Sequence, residues 1–301
     1  MHWILTTPED FSLVQMLKRS WPFLLRPFEK TGHPERLHRV ERLSSGTTVA
    51  LTLVQMPREI ALAVNERLSG EEVEELSQKV WRALRLGEDL SGFLSLQCQL
   101  LPQVTISDAP RFLRGTSLFE DLVKALIISQ SPPGWYDYRV NWLVDRIGDS
   151  LPRNPTLHAF PQPEQLLWEQ ILIKSMFGPE LARKLLQLAE LFHEHGAELE
   201  RLPQSPLPES ALNTILEYVP DLEETTLDLI MLMIGHYQHI PASLQAYRRV
   251  FGKFHTDHLS SGSLELQLRP WHPWENLAYW LGIGLLNSVQ GVTSHASASL
   301  S

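Results

Sequence analysis

Thiol chemistry is nearly absent: Cys98 is the one cysteine among 301 residues. A disulfide framework is excluded, and so are four-cysteine zinc and iron–sulfur sites. Long apolar runs are missing too. The stretch LDLIMLMIG, 227–235, falls well short of the roughly 20 residues that cross a bilayer. The opening MHWILTTPEDFSLVQMLKRSWPF has no basic segment ahead of an apolar core, so a cytoplasmic protein without membrane contact is expected. Basic charge is also scarce, with 26 Lys and Arg against 35 Asp and Glu and a net charge of -9. Phosphate neutralisation supplies most non-specific DNA affinity, so only a local basic face would serve a nucleic acid. The densest basic run is Lys18, Arg19, Arg26, Lys30, Arg36, Arg39 and Arg42. It is interleaved with Glu29, Glu35 and Glu41, which reads as a solvated mixed-charge face.

A hydrophobic fraction of 43% is ordinary for a globular chain. The pattern changes along it. RLHRVERLS, GTTVALTLVQMP and EIALAVNERLS are short and alternating and are bounded by turn residues, as antiparallel strands are. FSLVQMLKRS has helical spacing, and Ser69 followed by acids opens a helix in SGEEVEELSQKVWRALRL. From residue 106 onward the strand signal fades into helices. SLFEDLVKALIISQS is a buried amphipathic one, and GPELARKLLQLAELFHEHG has a Gly-Pro start and a glycine stop. PESALNTILEYV, EETTLDLIMLMIG, ASLQAYRRVFGK and HPWENLAYWLGIGLLNSV follow. The expected fold is α+β and mainly α. An N-terminal antiparallel sheet with helices (1–105) precedes a helical domain (106–292), and a polar tail (293–301), expected to be disordered, ends the chain.

The order of certain segments carries a resemblance. RFLRGTSLFEDLVKALIISQS contains Phe119, Glu120 and Gln130 and is similar to the helical entry of helix-hairpin-helix DNA glycosylases. FPQPEQL, FGPELARKLLQLAELF, VPDLEETTLDLIMLMIG and RPWHPWENLAYWLG follow in that family's order, and the whole resembles the DNA-3-methyladenine glycosylase II type. The resemblance implies base excision repair by a monofunctional hydrolase. Such an enzyme extrudes an alkylated base from double-stranded DNA and stabilises the sugar cation with a buried aspartate. It implies two helical lobes around a cleft in 106–292, a monomer and no cofactor.

Several positions depart from the family pattern. Asp221 and Glu223 stand where the hairpin glycines would be, with Thr226 on the family threonine. Losing both glycines is expected to remove the backbone freedom for a close phosphate approach, and the acids repel phosphate. Residues 211–240 contain no Lys or Arg. Ser243, in Pro241-Ala242-Ser243, occupies the seat of the catalytic aspartate and carries no charge at neutral pH. Thr225 replaces the lysine of bifunctional members, and Glu275 replaces an arginine. Impaired excision is therefore expected. The alternatives are a non-catalytic homologue that binds DNA and a scaffold for a protein or small molecule.

Asp228 is a substitute carboxylate or a solvated or capping side chain. Asp257, between His255 and His258, is another candidate, although the three read as a polar turn and no metal is expected. Gln130 matches the position beside the family's inserted wedge. Trp135 is either a DNA-stacking aromatic or part of the core. Arg248 and Arg249 are candidates for phosphate. Tyr218, Tyr237 and Tyr247 either line a base pocket or pack in the core.

Overall fold

The computed structural model describes residues 1–20, 22–102, 108–132, 134–202, 206–241, 243–251 and 264–282. Five strands form one antiparallel sheet: β1 (His2–Thr6), β2 (Phe28–Lys30), β3 (Arg36–Arg42), β4 (Thr48–Met56) and β5 (Glu59–Val64). Their order is β1-β5-β4-β3-β2. The period of two puts Val49, Leu51 and Leu53 of β4 into the core, where they join Ile60 and Leu62 of β5. Helix α1 (Leu13–Arg19) and α2 (Gly70–Ala83) cover that face. Ser69 caps α2 as expected: its hydroxyl accepts from Glu72 N while the Glu72 carboxylate accepts from Ser69 N.

Twelve of the thirteen residues of α4 (Leu118–Gln130) are buried. It is the central helix, and α5 (Tyr136–Ile147), α7 (Gln170–Leu199) and α9 (Glu224–Met233) pack on it. Not legible in the sequence were the strands β1 and β2, the helix α3 (Ser91–Leu100) and the hairpin β6 (Ser150–Leu151) with β7 (Asn154–His158). Helix α6 (Pro163–Trp168) starts on its proline. At Gly178, φ of 76° breaks α7 into two helical pieces just ahead of Pro179, a backbone conformation that favours glycine. Helices α8 (Glu209–Tyr218), α10 (Gln245–Phe251), α11 (Leu264–Leu268) and α12 (Glu275–Leu281) complete the helical part. No helix among the described residues is long and apolar enough to cross a membrane.

Two hydrophobic cores result, one under the sheet and one among the helices. Phe23, Leu25, Leu90 and Phe93 belong to the helical core, although they come from the first hundred residues. Polar groups also join the two parts. The Arg85 guanidinium is buried and donates to the carbonyls of Phe112, Leu232 and Met233, to the Glu88 carboxylate and to the Tyr237 hydroxyl. Arg39 and Glu41 are buried as well, at 2% and 4% exposure. These two depart from the solvated face expected of that mixed-charge run, whose Lys18, Lys30, Glu35 and Arg36 are exposed. Arg39 and Glu41 share the inward face of β3 with Leu37, because alternate residues of a strand point the same way.

Candidate functional site

The loop between α9 and α10 is fixed by contacts to its backbone. Gly235, at φ 77°, turns the chain out of α9. His236 N donates to Met231 O, and the His236 ring contacts Leu207 O. Ser243 is half-buried at the far end. Its carbonyl accepts from the Tyr279 hydroxyl at 3.0 Å, and that hydroxyl oxygen accepts from Tyr247 N at 2.9 Å. The Ser243 hydroxyl itself accepts only a long contact, 3.3 Å from Gln245 N. The loop backbone is therefore held by α12 and not by the serine side chain.

Asp228 is neither solvated nor a cap. It is 2% exposed, and its Oδ1 lies 2.7 Å from His239 Nε2. Its Oδ2 is buried and has no hydrogen-bond partner. Burial pushes the Asp228 carboxyl above its ordinary value, and the hydrogen bond to His239 opposes that only in part. The Asp228 charge reaches Tyr279, whose hydroxyl is raised first by burial and further by that carboxylate. One carboxylate thus lies electrostatically close to the residue that holds Ser243 in place. No signal in the sequence paired His239 with it.

Gln130 ends α4 half-buried, with a buried Nε2 that has no partner. Such orphaned groups are rare in native interiors and call for an explanation. Beside it, the Ser131 carbonyl accepts from Arg249 Nη1 at 2.9 Å, so Arg249 ties α10 to the end of α4. Arg248 is half-buried on the same helix. Trp135 is 56% exposed and meets Tyr138 edge to face at 5.8 Å, which removes the core alternative for it. At the other end of α9, Ser129 and Thr226 share a buried 2.7 Å hydrogen bond. Thr226 is therefore committed to α4–α9 packing.

The three tyrosines are not brought together. Tyr218 sits on α8, where its hydroxyl donates to Glu194 of α7. Tyr237 is clamped at the junction of the two parts: its hydroxyl donates to Glu88 at 2.6 Å and its ring tilts against Trp274. Tyr247 packs on Tyr279 and Trp280. Asp257, His255 and His258 lie outside the described residues. No metal-binding group of three or more ligand-type side chains occurs among the described residues.

Asp221, Glu223 and Glu224 are exposed. Asp221 nevertheless adopts φ of 60°, the left-handed conformation that glycine takes without strain. A non-glycine residue thus holds a glycine-like conformation at the position where the resemblance sets a hairpin glycine. Buried Lys184 helps by donating to Asp221 O at 2.9 Å. Asp221→Gly is expected to raise stability by roughly 0.5 kcal/mol with an unchanged urea slope. A loss of about 1 kcal/mol in urea melts would instead show that the Asp221 side chain holds the turn.

No family model and no curated protein matches the chain. Solved structures do. The 3-methyladenine DNA glycosylase from Archaeoglobus fulgidus superposes with a TM-score of 0.69 at 19% identity, over 93% of this chain and 97% of that one. The 8-oxoguanine glycosylase/lyase of Clostridium acetobutylicum in its apo form gives 0.58 at 15% identity, over 93% and 94%. MBOgg1 in complex with a low-affinity DNA ligand gives 0.59 at 14%, over 97% and 96%. At these identities the likeness is one of fold.

Proposed function

We propose that the chain is a DNA-glycosylase-like protein of the 3-methyladenine glycosylase II type, which binds duplex DNA at a damaged or missing base and excises bases poorly. The observation that carries this reading is the match over nearly the full length of both chains, at a TM-score of 0.69, to a 3-methyladenine DNA glycosylase. The exposed Trp135 supports a role in stacking on an unpaired base, and Gln130 offers a buried, unspent amide at the end of α4. Arg248 and Arg249 are the cations proposed for phosphate. Ser243 supports the impairment, because a neutral hydroxyl cannot balance a growing sugar cation.

The test is fluorescence anisotropy with a duplex that carries an abasic-site analogue, run across a salt series beside an excision assay on 3-methyladenine and hypoxanthine. Binding that weakens as salt rises is expected, since phosphate contacts release counterions. Trp135→Ala is expected to cost about 1–3 kcal/mol of that binding. No salt-sensitive binding would overturn the reading. It would favour a protein or small-molecule scaffold, the alternative that the exposed Asp221, Glu223 and Glu224 support.

A further inference from the structure

A cavity of about 820 Å³ lies between β3 and α2 on one side and the start of α4 on the other. Helix α4 has thirteen residues, so this cavity is about 20 Å from Gln130 at the other end. None of the side chains placed above around Ser243 lines it.

Its buried charges are paired, with one local excess of cation. On the floor, Arg82 and Arg114 both meet the same carboxylate, Asp121, at 2.7 and 2.8 Å. Burial, followed by the like charge of Arg82, pushes the Arg114 guanidinium down to about 9. Beside them, Arg39 and Lys124 hold the Glu120 carboxyl far below its usual range, although burial alone would raise it. Two cations thus share one carboxylate at this point of the floor, while the other floor charges pair off, Arg39 with Glu41 and Glu120 and Arg85 with Glu88. The rim has more acid than base: Glu75 and Glu164 are 23% and 43% exposed and Glu200 is half-buried, against Lys79 and Arg42, which are paired with Glu41 and Asp149. Glu200 accepts from Leu118 N and Phe119 N, so the helix terminus at this place already has its anion.

Between floor and rim the walls are aromatic. Phe119 and Phe192 contact each other at 5.3 Å, and both line the cavity. Opposite runs Trp81, 43% exposed. Its indole is seated over Gly87, where a Cβ would come within 2.9 Å of the ring nitrogen. An exposed tryptophan facing phenylalanines suits a flat apolar body.

We propose that this cavity is a binding site for a small planar zwitterion. Its anionic end faces Arg82 and Arg114, its ring lies along Trp81, and its cationic end meets the carboxylate rim. The proposal is independent of any role on DNA.

It is tested by isothermal titration of the full chain with three one-ring probes: 4-(aminomethyl)benzoate, benzoate and benzylamine. The zwitterion is expected to bind about tenfold more tightly than either singly charged probe, a difference of about 1.4 kcal/mol. Trp81→Ala and Glu164→Gln alter exposed side chains, so the fold survives, and each is expected to weaken the zwitterion by about tenfold or somewhat less. Glu164→Gln is expected to leave benzoate unchanged. Equal affinity for the three probes, no binding at millimolar concentration, or binding indifferent to both variants would overturn the assignment.

Discussion

Arg39→Ala is expected to destabilise the protein by about 3–5 kcal/mol, the cost of leaving buried carboxylates without their cation. The Arg39 guanidinium contacts Glu41 at 2.6 Å, donates to both oxygens of Glu120, and donates to the Thr116 hydroxyl. Both carboxylates are almost wholly buried. Arg39 also stacks on Phe28, 4.4 Å from the ring centre. These groups join β3 of the sheet to α4 of the helical core, so the loss reaches both parts. Urea unfolding measures the cost. A loss under about 1 kcal/mol would show that Lys79 and Lys124 neutralise the site without the arginine.

The same network sets a pH dependence. Glu120 and Glu41 are held below their ordinary values, because the neighbouring cations outweigh the upward push of burial. A carboxyl with a depressed folded-state value stabilises the fold above its unfolded value of about 4.3, and that contribution is lost as pH falls below it toward the folded value. Stability of the wild type is thus expected to fall below about pH 4.5, and Arg39→Ala to fall less steeply there. Parallel pH profiles for the two proteins would contradict this account.

Most of the fold was legible because its signals are local. The alternation of β4, the capping box at Ser69 and the apolar period of α4 each lie within one element. Helix α3 was missed because its N-cap residue is Leu90, which has no capping side chain, and its first turn has no acid. The polar interior was missed for a different reason. Arg39 and Glu120 are 81 residues apart, and Arg85 and Tyr237 are 152 apart. In the sequence Arg39 and Arg85 look like ordinary surface residues, and only the packing of sheet on helices pairs them with Glu120 and Tyr237. The same holds for Asp228, which was open to a solvated reading until the loop brought His239 against it. Tyr237 shows the converse limit: an aromatic near a candidate site was spent on the junction between the two parts.

The largest change in activity is expected from Ser243→Asp. Preplaced polar groups that act on the developing charge are each worth about 10²–10³ in rate, and a full carboxylate belongs at the upper end. Excision of 3-methyladenine is expected to rise by at least about 10²-fold over the wild type in a single-turnover assay. The loop should accept the change. Its backbone is anchored through the Ser243 carbonyl to Tyr279, and an aspartate oxygen can take over the contact from Gln245 N. Asp228→Asn, made in both backgrounds, separates two sources of charge. If the wild type already excises efficiently and Asp228→Asn abolishes this, the buried Asp228–His239 pair supplies the anion and Ser243 is incidental. The enclosed position of Asp228 Oδ2 argues for the other outcome. Asp228→Asn then leaves the rates of both backgrounds within a few-fold, and the carboxylate at 243 alone decides whether the bond breaks. A Ser243→Asp protein that binds the abasic duplex as well as the wild type yet remains inactive would show that the loss of excision does not lie in this one side chain.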